Sequence, residues 1–369
     1  MEKSKVYYTS MRAKVGDSLP KKLHRLMKAA GFESIDFAGK FAAIKLHFGE
    51  PGNLAYLRPN YAKVVCDYIK DLGGKAFVTD CNTLYVGGRK NALDHLDSAN
   101  VNGYNPFQTG VHTIIADGIK GTDEVLVPVE GGTYVKEAKI GRALMDADII
   151  ISLSHFKGHE CAGFGGALKN IGMGGGSRAG KMEMHSAGKP SVSVKKCIGC
   201  GACVKVCAHE GVTVTDKKAF INHDKCVGCG RCIGVCPKDA VHGSMDEKGE
   251  ILNAKIAEYT KAIVDGRPQF HISLVIDVSP FCDCHGGNDA PIVPNIGMFA
   301  SFDAVALDTA CAEAVLAAPI MHGSLLDEVE HVHGDHFTDV SPSTAWKTQL
   351  THAEKIGIGT MQYELVEVQ

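Results

Sequence analysis

Eight of the fourteen cysteines in this chain fall into two runs of identical spacing. The first run is CIGCGACVKVC from Cys197, and the second is CVGCGRCIGVCP from Cys226. In this C-x2-C-x2-C-x3-C pattern, three closely spaced thiolates hold one cubane iron–sulfur cluster and the fourth cysteine reaches a second cluster. The spacing therefore predicts two [4Fe–4S] clusters. The expected ligands are Cys197, Cys200, Cys203 and Cys236 for one cluster, and Cys226, Cys229, Cys232 and Cys207 for the other.

Structural zinc is the alternative for these cysteines, because paired CxxC motifs also form tetrahedral zinc sites. Here, however, the whole spacing is repeated and the second run ends in Cys236-Pro237, as in bacterial two-cluster ferredoxins. Ala208 stands where the first run would have a proline, but this change removes no ligand. Glycines such as Gly199 and Gly228 allow backbone N–H groups to approach a cluster closely. We favour clusters over zinc.

The rest of the chain alternates between helical and strand patterns. Apolar residues with helical spacing begin at Leu19, and Gly31 is the expected stop of that helix. Such alternation predicts an α/β body with a mostly parallel sheet. The expected strands are 42–48, 76–80, 147–153 and 272–277, and the expected helices are 19–30, 59–72, 89–98, 251–265 and 303–318.

The cysteine-rich segment interrupts this body. We predict a first part of the body over residues 1–190, a ferredoxin-like α+β insert with two [4Fe–4S] clusters over 191–243, and a second part of the body over 244–369. Because both ends of the insert are joined to the body, it has less freedom than a unit on one linker. The clusters are therefore expected at a defined distance from a site in the body.

Charge and hydropathy exclude several kinds of partner. The net charge is −3 and there is no long basic block, so the electrostatic footprint of a nucleic-acid binder is missing. The sequence shows no secretory apolar core and no run of about eighteen apolar residues, so we expect no membrane partner and a cytoplasmic location. In a large chain of this kind, many cysteines indicate metal binding rather than disulfides. The oligomeric state is not indicated.

Polar residues follow four of the predicted strands. Open parallel sheets bind ligands beyond the carboxyl ends of their strands. These ends carry His47, Asp80, the segment SHFKGHECAGFGGALKN from Ser154, and SPFCDCHGGNDAP from Ser279, so one pocket is expected. The predicted catalytic residues are His155, His159 and Lys169, and the predicted cofactor-binding residues are Lys157, Gly165, Gly166 and Asn170.

Two features of this edge have alternative interpretations. The soft ligands Cys282, Cys284 and His285 indicate either a metal site or a thiol pair beside a packed turn, and the sequence leaves this open. The glycines of GFGGALKNIGMGGGSRAGK predict an anion cradle. It matches neither the Walker pattern nor a clean G-x-G-x-x-G, which favours an anionic substrate over a nucleotide. The cations expected to face that anion are Lys169, Arg178 and Lys181.

Four segments, IKLHFGEPGN, TDCNTLY, SHFKGHECAGFGGALKNIGMG and IGMFASFDAVALDTAC, resemble the "domain of unknown function 362" family, whose members often carry an inserted ferredoxin pair. A more distant resemblance is to lactate racemase and its relatives, in which a histidine before a glycine-rich turn ending in lysine contacts a nickel-pincer cofactor. His159, residues 163–166 and Lys169 match that pattern with a slightly different spacing. The resemblance implies a cofactor or substrate contact at Lys169 and leaves a further metal or organic cofactor open.

The leading hypothesis is an anaerobic iron–sulfur oxidoreductase that passes electrons through the clusters to a substrate or second cofactor at the strand ends. His155 and His159 are the candidate proton donors, and Lys157 and Lys169 would bind an anionic group. A redox partner protein and a small anionic substrate are the expected partners. The alternatives are an electron carrier whose α/β body docks partners, and a non-redox, lactate-racemase-like enzyme acting on an anionic substrate.

Overall fold

The computed structural model of the chain describes residues 3–185, 188–243, 245 and 247–369. The strands are β1 (Ser4–Ser10), β2 (Phe41–Lys45), β3 (Lys75–Asp80), β4 (Thr113–Ile115), β5 (Glu124–Pro128), β6 (Glu137–Gly141), β7 (Ile149–His155), β8 (Lys157–His159), β9 (Gly163–Gly165), β10 (Pro190–Val192), β11 (Val212–Thr215), β12 (Lys218–Ile221), β13 (Val241–Gly243), β14 (Gln269–Val275), β15 (Gly297–Ser301) and β16 (Tyr363–Glu367). The helices are α1 (Leu19–Ala29), α2 (Pro59–Asp71), α3 (Ala92–Val101), α4 (Pro106–Thr109), α5 (Arg142–Met145), α6 (Ala167–Gly175), α7 (Arg178–His185), α8 (Ala202–Lys205), α9 (Arg231–Gly234), α10 (Gly249–Val264), α11 (Ala304–Leu316), α12 (Leu325–Glu328), α13 (His336–Val340) and α14 (Trp346–Lys355).

One large sheet forms the centre of the molecule. It has eight strands in the order β16-β1-β15-β14-β7-β2-β3-β4. Only β15 runs against its neighbours β1 and β14, and the remaining pairs are parallel. The predicted mixed α/β body with a mostly parallel sheet is therefore confirmed. None of the described helices has the length and apolar character needed to cross a membrane.

The predicted elements begin and end close to where local chemistry dictates. Helix α1 is followed by Gly31 in the left-handed region, with φ 84°, which favours glycine. Helix α3 begins later than predicted because the Asn91 side chain accepts the N–H groups of Leu93 and Asp94 and so caps it. Arg89, expected in that helix, lies instead in a buried ion-pair network.

Helices cover both faces of the sheet, which explains why β7 (IIISLSH) is buried along its whole length. On one face α6 packs tightly against α10. An added Cβ on Gly172 would lie 2.2 Å from the Ile256 carbonyl oxygen, so only glycine permits this approach. Gly175 is similarly close to Ile263. The glycine-rich run of α6 therefore serves helix packing.

Residues 191–243 fold against this body. Strand β10 pairs antiparallel with β13, with Ser191 opposite His242, so the start and end of the segment lie side by side. Between them lie the hairpin β11–β12 and the short helices α8 and α9. Helix α8 follows Gly201 and α9 follows Gly230, and both glycines have positive φ, 70° and 66°. The two halves of the segment thus repeat the same local geometry.

Candidate functional site

A cavity of about 540 Å³ lies where β2, β3, β7 and β14 end. Polar side chains from all four strand ends line it, as do residues from the start of α6. The predicted residues that line it are His47, Asp80, His155, Lys157, His159, Gly165, Gly166, Lys169, Asn170, Lys181, Cys282, Cys284 and His285.

His155 is held on both sides of its ring. Its Nδ1 lies 2.8 Å from the Asp283 Oδ2, and its Nε2 lies 2.7 Å from the Ile276 carbonyl oxygen. Both partners are acceptors, so the ring satisfies both contacts only when both nitrogens donate. Lys157 Nζ reaches the same Asp283 oxygen at 3.2 Å. Burial alone would raise the pKa of Asp283, but His155 and Lys157 outweigh it and lower that pKa.

His159 has a different environment. Its Nδ1 accepts hydrogen bonds from the backbone N–H groups of Cys161 and Ala162, at 3.1 and 3.0 Å. The ring proton therefore lies on Nε2 in the neutral form. The imidazole hydrogen-bonds to Cys282. His159 thus presents an N–H donor towards the sulfur at the cavity wall.

The two cysteines after β14 form a polarised pair. Lys169 Nζ lies 3.6 Å from Cys282 Sγ. A hydrogen bond from Cys284 lowers the pKa of Cys282 well below its usual range; burial opposes this, and Lys169 and His159 reinforce it. The same hydrogen bond, together with burial, raises the pKa of Cys284 well above its usual range. Burial would lower the pKa of Lys169, but the sulfurs of Cys282 and Cys284 outweigh it and raise that pKa.

Asn170 belongs to the framework of the cavity wall. Its Oδ1 accepts a hydrogen bond from Lys45 Nζ at 3.1 Å, and its Nδ2 donates to the Lys45 carbonyl at 2.8 Å and the Ser154 Oγ at 3.1 Å. Lys45 also pairs with Asp80 at 2.9 Å. These contacts tie α6 to β2 and use the amide fully, so Asn170 positions its neighbours.

A second buried network was missed by sequence reasoning. Arg89 Nε lies 2.9 Å from Glu50 Oε2, and its Nη1 lies 3.3 Å from Asp80 Oδ2. Arg89 also contacts the Tyr85 hydroxyl. Lys45 is the sequence feature that could have indicated this network. It is a charged residue within the buried strand FAAIK, and a buried charge requires a buried partner.

Lys181 is a buried cation of the cavity. It is 7% exposed, and its Nζ contacts the carbonyl oxygens of Gly174 and Gly176 at 3.3 and 2.6 Å. Within the described ranges, no carboxylate forms an ion pair with it. A buried ammonium whose described hydrogen bonds go to carbonyl oxygens favours a bound anion.

The N–H groups at the start of the glycine-rich helix are not available for the predicted anion cradle. The first N–H groups of α6, from Ala167 and Leu168, already donate to the buried Asp308 carboxylate at 2.7 and 2.8 Å. Arg178, expected to face the anion, points elsewhere: its Nη1 donates to the Lys120 carbonyl at 2.6 Å. The sequence feature that could have indicated this contact is Asp308 itself, an acidic residue within the largely apolar helix AVALDTACAEAVL.

The cysteines of the two runs surround two smaller cavities of the described structure. Each set has a backbone N–H group directed at a sulfur. The nitrogen of Ala219 lies 3.2 Å from Cys197 Sγ, and the nitrogen of Gly211 lies 3.2 Å from Cys207 Sγ. Cys197, Cys200, Cys203 and Cys236 line one cavity, and Cys207, Cys226, Cys229 and Cys232 line the other.

The spacing of the sulfurs bears on the kind of metal group that fits. In the part of the chain that the structure describes, only two groups of three side chains have ligand atoms within 4.8 Å of one another, and neither includes a cysteine of the runs. Those groups are His159, Cys282 and Cys284, and Glu160, Cys284 and His285. Among the described residues, therefore, no three sulfurs of the runs lie within 4.8 Å of one another.

Leu84 joins the cysteine-rich segment to the main cavity. It is buried in one apolar cluster with Cys197, Cys203, Cys232 and Cys236, and its side chain also lines the main cavity. An added Cβ on Gly243 would lie 2.8 Å from Leu84, so the contact is close. Leu84 thus belongs both to the apolar cluster of the cysteine-rich segment and to the cavity wall.

Comparison with solved structures finds weak similarity. Lactate racemase apoprotein from Thermoanaerobacterium thermosaccharolyticum matches at 12% identity and a TM-score of 0.34, over 73% of this chain and 51% of that chain. A Thermotoga maritima protein matches at 12% identity and a TM-score of 0.41, over 80% of this chain and 57% of that one. The chain thus spans little more than half the length of these proteins.

The sequence comparisons are more specific. A search of curated proteins gave no significant match. The family model described as "Domain of unknown function (DUF362)" matches residues 42–313. This range includes all four strand ends of the cavity and both cysteine runs, and it confirms the first of the two resemblances. The chain belongs to the DUF362 family.

Proposed function

We propose that this protein is an iron–sulfur oxidoreductase acting on a small anionic compound in the main cavity. Residues 191–243 would be a ferredoxin-like insert holding two [4Fe–4S] clusters between body parts 1–190 and 244–369. The observation that carries this proposal is the position of Leu84, which packs among the cysteines of the runs and also forms a wall of the cavity. An apolar contact of this kind supports the proposal, because it would put a redox segment next to a substrate site.

The cysteine sets fit cubane clusters in three respects. Four cysteines surround each small cavity, and each set takes one sulfur from the other run, as the ferredoxin pattern requires. Backbone N–H groups point at Cys197, Cys207 and Cys236 sulfurs, and such hydrogen bonds tune cluster potentials. No three of the described run sulfurs lie within 4.8 Å of one another, as expected for cysteines that bind different irons of a cubane cluster. Once bound, the clusters would supply electrons at this wall of the cavity.

The side chains of the cavity divide into binding and positioning groups. Lys181 would bind the anionic group of the substrate, because its described hydrogen bonds go to carbonyl oxygens. Lys169, whose ammonium lies beside the Cys282 sulfur, would contact the same group. His159 would donate the proton through Nε2, since its Nδ1 is used by backbone donors. We assign His155 to positioning Asp283 rather than to proton donation, because both of its nitrogens are engaged. Electrons would enter from a redox partner protein.

A second candidate function is non-redox chemistry on the same kind of substrate, as in a lactate-racemase-like enzyme. The observation in its favour is that His159 and Lys169 both lie beside the Cys282 sulfur. Groups so placed can exchange a proton with a bound anion without any electron transfer. In this case the clusters would stabilise the fold or report its redox state.

One experiment separates the two functions. The protein is purified anaerobically and reduced with dithionite, and its visible absorption is followed while 2-oxo acids and other small carboxylates are added singly. The oxidoreductase proposal expects reoxidation by at least one class of compound, lost in Lys181→Gln but kept in the exposed-site control Lys63→Gln. Racemisation of D-lactate by protein whose clusters stay oxidised would instead favour the second function. It would be measured by chiral chromatography.

A further inference from the structure

The loop after β14 places two thiols close together within the main cavity. The N–H of His285 donates to the Cys282 carbonyl at 3.1 Å, so the segment forms a tight turn. Cys282 and Cys284 hydrogen-bond through their sulfurs, and both lie within 4.8 Å of the His159 ligand nitrogen. Cys282 is 2% exposed, and Cys284 is partly exposed.

These side chains match a metal site in spacing but not in charge. A metal ion on Cys282 would lie close to the Lys169 ammonium, which is 3.6 Å from that sulfur, and the two cations would repel each other. His159 accepts two backbone hydrogen bonds at Nδ1, so its remaining nitrogen carries a proton and offers no lone pair. Apart from the Glu160 carboxylate, which lies near Cys284, the groups around Cys282 are hydrogen-bond donors and cations, which complement an anionic sulfur.

The protonation of the pair agrees with this geometry. The pKa of Cys282 lies well below its usual range and that of Cys284 well above it, chiefly because of the hydrogen bond between them. The surroundings therefore favour the thiolate form of Cys282 and the thiol form of Cys284. A thiolate with an adjacent thiol is the reactive arrangement in thiol–disulfide chemistry.

We propose that Cys282 and Cys284 form a redox-active dithiol, a redox centre of the cavity that exchanges two electrons with the clusters of residues 191–243. The proposal rests on the function proposed above. In the reductive direction, the Cys282–Cys284 disulfide takes up two electrons, one from each cluster, and the S–S bond breaks. Cys282 leaves as a thiolate paired with Lys169. One proton from water reaches the partly exposed Cys284, which becomes the thiol.

The test counts electrons and thiols in the same anaerobic sample. The protein is oxidised with diamide, desalted, and titrated with dithionite, while a second portion is alkylated and analysed by mass spectrometry. The wild type should take up about four electrons per chain, two for the dithiol and one for each cluster. Its Cys282 peptide should be lighter by two hydrogen atoms and resistant to alkylation until reduced. The Cys284→Ser variant should take up about two electrons with unchanged iron.

The matched control is Cys161→Ser, which removes another partly exposed thiol and should leave both the electron count and the disulfide unchanged. Uptake of only about two electrons by the wild type, with Cys282 and Cys284 both open to alkylation after diamide, would overturn the dithiol. So would a metal ion that is bound as purified and lost in Cys284→Ser. A protein that lacks iron contradicts the proposed function, whereas a protein with full iron and no disulfide contradicts the dithiol alone. The two failures are therefore distinguishable.

Discussion

The Asp283 carboxylate lies 2.8 Å from His155 Nδ1, and both side chains are buried. This pair joins the end of β7 to the loop that carries Cys282 and Cys284, so it fixes one wall of the cavity to another. Lys157 reaches the same carboxylate oxygen at 3.2 Å. The position of the cysteine pair therefore depends on the charge of Asp283, the residue between Cys282 and Cys284.

Replacing Asp283 with Asn should destabilise the protein by about 3 kcal/mol, because Lys157 and His155 would be left buried without their counter-charge. Chemical denaturation at pH 7 measures this. The control is Asp265→Asn, whose ion pair with Lys261 involves a carboxylate that is 62% exposed, and it should change stability by less than about 1 kcal/mol. Equal stability of Asp283→Asn and the wild type would show that the buried pairs do not hold the cavity wall.

The same carboxylate predicts a pH dependence. The folded state lowers the pKa of Asp283, so its contribution to stability is present above the unfolded value of about 3.9 and is lost as pH falls through the folded value. The wild type should lose stability more steeply than Asp283→Asn below about pH 4. Parallel stability curves for the two proteins in that range would contradict the predicted ionisation.

Gly158 should tolerate no side chain. An added Cβ would lie 2.3 Å from the Pro280 carbonyl oxygen, which is backbone and cannot move aside cheaply. Gly158→Ala should therefore cost about 1–3 kcal/mol and displace the loop of Cys282. Gly287→Ala is the matched control, since nothing lies within 4 Å of its added Cβ. Thermal unfolding of both variants is the measurement, and equal midpoints would refute the close approach.

Arg178 holds the cysteine-rich segment against the body. Its side chain packs on Gly230 and Gly234 and donates to the Lys120 carbonyl at 2.6 Å. Arg178→Ala should keep its iron but expose residues 191–243 to proteolysis about tenfold faster, which corresponds to about 1.4 kcal/mol. Arg25→Ala removes a partly exposed ion pair with Asp17 and a contact with the Gln369 carbonyl, and it serves as the control. Unchanged proteolysis of Arg178→Ala would exclude the docking role.

Lys181 should be the main anchor for an anion. Lactate at about 100 times its dissociation constant should stabilise the wild type by about 2.7 kcal/mol, and Lys181→Gln should lose most of this effect. The shift of the unfolding midpoint with lactate, and with inorganic phosphate as a second probe, measures it. The exposed-site variant Lys63→Gln should respond as the wild type does. An equal response in Lys181→Gln would place the anion elsewhere.

The sequence predicted the strand ends well because parallel strands follow a simple rule. Segments after β2, β3, β7 and β14 do line one cavity, since parallel strands present their carboxyl ends at the same edge. The strands β1, β15 and β16 were not predicted. They form one side of the sheet, where β15 reverses direction, and strand patterns alone carry no information on such pairing.

The remaining differences come from contacts between residues far apart in sequence. The Asp308 carboxylate accepts the first N–H groups of α6, although it lies 140 or 141 positions away in sequence. The local sequence of the glycine-rich run therefore could not show that these N–H groups are unavailable to an anionic ligand. Sequence reasoning singled out Cys282 and Cys284 but not Asp283, although an acidic residue between two thiols indicates a site residue. The partners of Arg89 in the cavity wall likewise depend on tertiary structure.

Iron and zinc analysis of anaerobically purified protein, with low-temperature EPR after dithionite reduction, decides whether the cysteine runs hold clusters. Two [4Fe–4S] clusters require about eight irons per chain and EPR signals from reduced clusters. Cys232→Ser should lose about half of the iron, whereas Cys66→Ala, at a buried body cysteine, should keep all of it. About two zinc ions per chain, no iron and no EPR signal would contradict the electron-transfer function.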